Sequence, residues 1–302
     1  MRRRSAILIA ALSVMCSLVL PTTSASADDP PFVGWSALMP PLTYQYEPTS
    51  LDDCVAGRVR CVESTIRTMQ KQFDPLAASC SHQAVFALTY LRTTQAYLQF
   101  SQTPGSLSDP AFVNHEDVAF AQMYFDAYRN WRAGRISQVP MAWRIAFRAA
   151  DSEQINGLGN LLLGMNAHVN RDLPFVLAGI GLTKPDGTSR KPDHDQIDKM
   201  LNHIAEPVIT EASQRFDPQI PVLWTPLGIG YTGFLQALVT WRETAWRFAE
   251  LLVSAPNAAA REIVAQSIET YAAATARAIV AASAYLPPVT SGAARDSYCA
   301  AH

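Results

Sequence analysis

The sequence predicts an all-α, single-domain helical bundle with an extended Pro-rich N-terminal segment and two disulfides. Three observations predict it. Apolar residues recur at three- and four-residue spacing along most of the chain, the period of one helix face. Alternation of period two never persists for more than a few residues outside those stretches. The breaks between them (PGSLSDP, KPDGTSRKPD, DPQIPVLWTPLG, SAPN) are Pro/Gly loops of ordinary length. A chain of 302 residues is long enough for one large domain or two small ones, and no internal repeat divides it.

Residues 1–27 read as a signal peptide. Arg2, Arg3 and Arg4 precede the apolar run AILIAALSVMCSLVL, and Ala25-Ser26-Ala27 is an A-x-A cleavage site. The apolar run is about 15 residues, short of the roughly 20 that a membrane span needs. A lipid anchor at Cys16 is disfavoured because the small-residue site lies further along the chain, and the Arg run leaves twin-arginine export open. The expected product is a secreted or envelope protein beginning near Asp28, with no membrane span. Removing the leader takes three arginines and no acid, which leaves 21 basic against 26 acidic side chains, a formal charge of −5. That balance offers no basic face for nucleic acid or for an anionic membrane.

Four cysteines remain after Cys16 is lost: Cys54, Cys61, Cys80 and Cys299. An even number in an oxidising compartment points to two disulfides. Of three pairings, Cys54–Cys61 with Cys80–Cys299 is favoured, because DCVAGRVRC is a short loop with a Gly to turn it. The spacing lacks CxxC and does not suit a zinc cluster.

Residues 28–61 form the Pro-rich segment and the Cys loop, and 62–302 the helical domain. VESTIRTMQKQF (62–73) aligns Val62, Ile66, Met69 and Phe73 on one face. The next helix spans 81–100 with Ser81 as its N-cap, and the third spans 114–134 with Asn114 as cap and acids in its first turn. Further helices are expected at about 140–150, 156–181, 193–216, 228–254 and 257–285. The last is Ala-rich, which permits close helix packing.

Within 156–181, GMNAHVNRDLP places Asn, His, Asn, Arg and Asp between two apolar flanks. His168 and Asp172 are four residues apart, about 6 Å at Cβ on one helix face. That pair presents a nitrogen and a carboxylate oxygen to one ion. It equally suits a hydrogen bond between packed helices. Asn166 and Asn170 form a second such pair, turned about 200° away. Pro174 disfavours helix just before it, so a kink is expected there. Further candidate ligands are His115 and Asp117, the latter on a stripe with Phe120, Ala121 and Tyr124. For Glu116 and Asp117 the competing role is the positive end of the helix dipole. His82 is a weaker candidate. PDHDQIDKMLNHIAE offers Asp193 as an N-cap and Asp195, Asp198 and Asn202 along one face, of which Asp195 is carried forward. In LVTWRETAWRFAELL, Arg242 sits one turn before Trp246 and can stack on it or reach Asp172 or Asp117.

The stretch NLLLGMNAHVNRDLPFVL, with EDVAFAQMYFDAY upstream and RETAWRFAELL downstream, resembles an actinobacterial family classed only as a domain of unknown function. Its most specific part is the Asn-x-His-x-Asn-x-Asp-Leu core. The resemblance covers most of the mature chain and implies an all-helical domain. It implies no activity, and its variation at Arg171 implies an outward side chain there. A more distant analogy runs to exported zinc-dependent phospholipase C and single-strand nuclease enzymes, which are all-α and hold metals on His-x-x-x-Asp and His-x-x-x-Glu helices. The present chain has few His and lacks a His-x-x-x-Glu partner.

No G-x-S-x-G, P-loop, H-E-x-x-H or CxxCH motif occurs, and no G-x-G-x-x-G follows a strand. Two functional readings stay open. In the first, a hydrolase holds one divalent ion, zinc or similar, on His168 and Asp172 with Asp117 or His115, and with Asp195 as a further candidate. The ion activates a water against a small ester, phosphoester or lipid-like substrate, and Arg242, Asn166 and Asn170 are the candidate catalytic residues. In the second, the same polar groups are a core hydrogen-bond network of a non-catalytic exported protein.

Overall fold

The computed structural model describes residues 45–220 and 229–302. The leader, the Pro-rich segment up to residue 44 and residues 221–228, the last eight of the DPQIPVLWTPLG loop, lie outside the described residues. Among the described residues there is no β-strand, only two isolated bridges.

Both expected disulfides form, with Cα–Cα distances of 5.1 Å for Cys54–Cys61 and 5.9 Å for Cys80–Cys299. In the first loop the Asp52 carboxylate accepts from the Cys54 and Val55 amides, and Gly57 turns the chain at φ +64°. A Cβ there would fall 1.7 Å from the Ala111 carbonyl oxygen, so only Gly fits.

Helix α1 (Val59–Ala78) buries Val62, Thr65, Met69, Phe73 and Leu76 on the expected face. Helix α2 (Ala84–Ser101) is buried around most of its circumference and packs on α1 and on three helices later in the chain, as an all-round apolar helix must. Ser81 does not cap it directly; its hydroxyl receives the Gln83 amide in the turn before.

The start of α3 (Pro110–Arg132) corrects the expected cap. Asp109, not Asn114, accepts from the Phe112 amide, with Pro110 opening the helix. Asn114 is buried in the second turn, where it accepts from the Tyr97 hydroxyl and donates to the Gly57 carbonyl. Asp193 does not cap its own helix either. Its carboxylate receives the Ser108 and Asp109 amides, bracing the chain entering α3.

A short 3₁₀ turn, Ile136–Gln138, leads to α4 (Met141–Asp151). Then α5 (Gly157–Met165), a π-helical segment Asn166–Asp172 and α6 (Leu173–Ile180) run as one continuous element. The segment expected to kink before Pro174 is absorbed instead by this wider turn, closed by the Leu173 amide donating to the His168 carbonyl five residues back. Pro174 has no N–H for the residue-170 carbonyl and its ring crowds that carbonyl. One inserted residue relieves both, and such π segments concentrate at functional sites.

The remaining helices are α7 (Lys191–Phe216), α8 (Ile229–Ser254), α9 (Ala258–Ala282) and α10 (Gly292–Ala301). The last was not expected. The main core joins α1–α5 with α7 and α9 around Phe86, Leu88, Leu91, Trp143 and Leu161. Gly164 lets α5 approach α2 closely, since a Cβ there would sit 2.2 Å from the Phe86 ring. Buried Ala265, Ala272, Ala273 and Ala276 bring α9 against its neighbours.

Candidate functional site

The π segment turns all seven of its residues into the interior. His168 Nδ1 lies 3.3 Å from Asp172 Oδ2, and the Trp143 indole N–H donates to the same oxygen at 2.8 Å. The other oxygen of Asp172 accepts from Arg171 at 2.9 Å, and Arg171 reaches across to Glu269 of α9 at 2.8 Å. Arg171 is 1% exposed, so the outward orientation implied by the resemblance is overturned. Its guanidinium is the cation between two buried carboxylates, and it also lies over the Phe175 ring.

This arrangement fixes what His168 can do. With Asp172 accepting at Nδ1, the lone pair of the neutral ring resides on Nε2. Phe120 stacks on the ring and Tyr90 packs edge-on against it. Nε2 is buried without a hydrogen-bond partner. Burial lowers the imidazole pKa, against the opposing pull of Asp172, and keeps the ring neutral.

His168 lines a cavity of about 140 Å³. Apolar residues such as Phe86, Met165, Val169, Leu173 and Met200 form most of its wall. The polar groups on it are few: His168, Tyr90, Asp117, Glu116 and Arg242 with three threonines and Tyr97. An apolar wall with few polar groups is the usual composition of a small-molecule site. Asp117 Oδ2 and the Tyr90 hydroxyl have no hydrogen-bond partner. Burial first, then repulsion from Glu116, pushes the Asp117 carboxyl up to about 8. Glu116 is pushed up to about 7 by burial, against the attraction of Arg242 and Arg190. Both sit in the second turn of α3, so the helix-dipole role weighed for them at the helix start does not apply to their positions.

The other expected site residues are dispersed. Asn166 and Asn170 bond each other, and Asn166 donates to the Ala272 carbonyl of α9, on the opposite side of the segment from the cavity. His115 is buried with Nδ1 on the Cys54 carbonyl, 2.8 Å away. Asp195 is half-exposed and pairs with Lys191 at 2.7 Å. Arg242 borders the cavity but bonds Asp198 at 2.5 Å and the His194 carbonyl at 2.7 Å, not Asp172 or Asp117.

Neither does the expected metal centre assemble. Among the described residues, the one group of three His, Cys, Asp or Glu ligand atoms lying within 4.8 Å of one another is His82, Glu153 and Asp296. Both Asp172 oxygens are already occupied by protein donors. In the His82 group, Nε2 is 3.1 Å from Asp296 Oδ1, and Arg295 donates to the same oxygen at 3.0 Å. That guanidinium opposes a cation, and Asn160 Nδ2 lies 3.4 Å from the other ring nitrogen.

In the sequence Tyr90 belongs to no motif, Glu116 stands among the acids near a helix start and His194 lies in a charged run. His194 is buried with neither ring nitrogen hydrogen-bonded, and its Nδ1 lies 4.0 Å from Glu116 Oε1. The available signal was His194-x-x-x-Asp198, the same spacing as His168 and Asp172. Nothing local links His82, Glu153 and Asp296, which come from three distant segments.

A family model described as "Family of unknown function (DUF5995)" matches residues 62–282. No curated protein and no solved structure matches the chain.

Proposed function

The chain belongs to the DUF5995 family, a family of unknown function, so its activity has to be read from its own residues, and we propose that it is an exported protein that binds a small, largely apolar ester in the α3 cavity and hydrolyses it by acid–base chemistry. The observation that carries this reading is the Nε2 of His168. It is buried, it has no partner, and Asp172 holds the ring behind it. Leaving such an atom unpaired costs about 1–3 kcal/mol, which a water or ligand O–H donating to Nε2 offsets.

In the proposed step, His168 takes a proton from a water whose oxygen attacks the acyl carbon. The bond to the leaving oxygen then breaks, and protonated Asp117 supplies that oxygen with its proton. Transfer of the proton on His168 back to Asp117 restores the site, with acid and alcohol as the only products. Arg242, on the cavity wall, steadies the anionic intermediate. The two disulfides support export, since they persist in oxidising compartments.

The test is turnover of p-nitrophenyl butyrate by the mature chain between pH 5 and 9. A bell is expected, rising as His168 becomes neutral and falling near 8 as Asp117 ionises. His168→Gln is expected to abolish turnover while retaining binding. Equal turnover in His168→Gln would remove the catalytic part, and loss of all binding by the wild type would remove the whole.

A second reading rests on the convergence of His82, Glu153 and Asp296. There a divalent ion would clamp α10 to the start of α2, beside the Cys80–Cys299 disulfide, as a structural ion. Calorimetric titration with zinc, repeated on His82→Ala, tests it. Equal heats from the two proteins would dismiss it.

A further inference from the structure

Helices α7 and α8 are tied by side-chain bridges: Arg242 to Asp198, Lys191 to Glu243 at 2.7 Å, and the Tyr231 hydroxyl to the Asn202 carbonyl at 2.8 Å. Between those bridges lies a groove of about 480 Å³. Its character differs from that of the inner cavity. Lys199, Asn202, His203, Thr232 and Gln236 line it, and all five are exposed.

The two spaces share a wall. Leu201 and Leu238 line both of them. Arg242 borders the cavity and its partner Asp198 borders the groove, so this ion pair stands at the threshold. Size decides how a ligand must divide itself. An apolar protein cavity of about 150 Å³ holds one benzene, so the 140 Å³ here takes a single aryl ring or a chain of roughly six carbons. Anything larger leaves its remainder in the groove, where Asn202, Thr232 and Gln236 offer uncharged amides and a hydroxyl.

We infer that the ligand is two-part: a compact apolar end seated in the cavity beside His168, joined to an uncharged, hydroxyl-rich body that lies in the α7–α8 groove. This rests on the cavity being a ligand site, and it adds the substrate class, short-chain acyl or aryl derivatives of a sugar-like polyol.

Calorimetry on the full mature chain tests it with hexanol, hexyl β-glucoside, dodecyl β-glucoside below its micelle concentration, and glucose. Hexyl glucoside is expected to bind at least about tenfold tighter than hexanol, the gain from one or two added hydrogen bonds. Dodecyl glucoside is expected to bind more weakly than hexyl glucoside, and glucose not measurably. The double variant Thr232→Ala, Gln236→Ala, on exposed positions, is expected to erase the glucoside's advantage and leave hexanol binding unchanged. Leu238→Trp, which fills the shared wall, is expected to weaken both. Hexanol binding with no gain from the sugar, or tighter binding of the dodecyl chain, overturns the two-part ligand while the cavity reading stands. No binding of any probe overturns both.

Discussion

The His168 ring divides two regions built from the same residue types. Behind it, Asp172 accepts from Trp143, Arg171 and the imidazole, and Arg171 spans to Glu269. In front of it, Nε2, the Tyr90 hydroxyl and Asp117 Oδ2 have no partner within the protein. Both regions are buried and both carry carboxylates. The difference teaches where to look for function. A buried polar atom left unpaired raises the folded state's energy, and where it faces a cavity it is placed to bind what enters; Arg171 Nη2, also unpaired behind the ring, does not line this cavity.

The sharpest way to break the comparison is to remove the cation behind the ring. Arg171→Met leaves Asp172 and Glu269 buried together without a counter-charge, at an expected cost of about 3–5 kcal/mol. In a chain of this size that lowers the melting temperature by roughly 10 °C, measured by calorimetry or circular dichroism. A drop of only a degree or two would mean that the rear network is as dispensable as the front one.

In front of the ring, the expected sign reverses. Asp117 holds its proton up to about 8 in the folded chain, against about 3.9 when unfolded. Its folded pKa is raised, so its contribution is fully present below about pH 4 and is lost as pH rises through about 8. Glu116, pushed up to about 7, acts in the same direction. His168 works oppositely. Its folded pKa is lowered, so stability declines as pH falls below about 6.5, where the unfolded imidazole protonates. Asp117→Asn is therefore expected to match the wild type near pH 4 and to melt several degrees higher at pH 8. Parallel melting curves across that range would show that Asp117 is not held protonated.

The same division explains what was legible in the sequence. The helices could be read because Pro, Gly and capping residues bound each apolar period. Helix α10 was missed because GAARDSYCAA is short and weakly patterned; the Cys299 disulfide and the buried Arg295 side chain hold it in place. The His168–Asp172 contact was legible as an i, i+4 pair. Its partners were not, because Trp143 and Glu269 arrive from helices that no local spacing connects to it. In the front region Asp117 was legible from its stripe with Phe120, Ala121 and Tyr124, but the cavity it faces was not: Leu, Met and Thr on cavity-facing positions of α2 and α7 have the same periodicity as residues that pack solidly. Asn114 failed as a cap because Asp109-Pro110 already supplies one a turn earlier.

The smallest expected effect belongs to Asp195. Its helix face, shared with Asp198 and Asn202, makes it a candidate ligand, yet it stands half-exposed against Lys191. A solvated pair of this kind contributes about 0.2–1 kcal/mol. Asp195→Ala should therefore move the melting temperature by no more than about 2 °C and leave ligand affinity and turnover unchanged. Lys191 keeps Glu243 at 2.7 Å, so the link from α7 to α8 survives the substitution. A loss of binding in Asp195→Ala comparable to that in Leu238→Trp would mean that the acidic face of α7, and not the unpaired atoms around His168, holds the ligand.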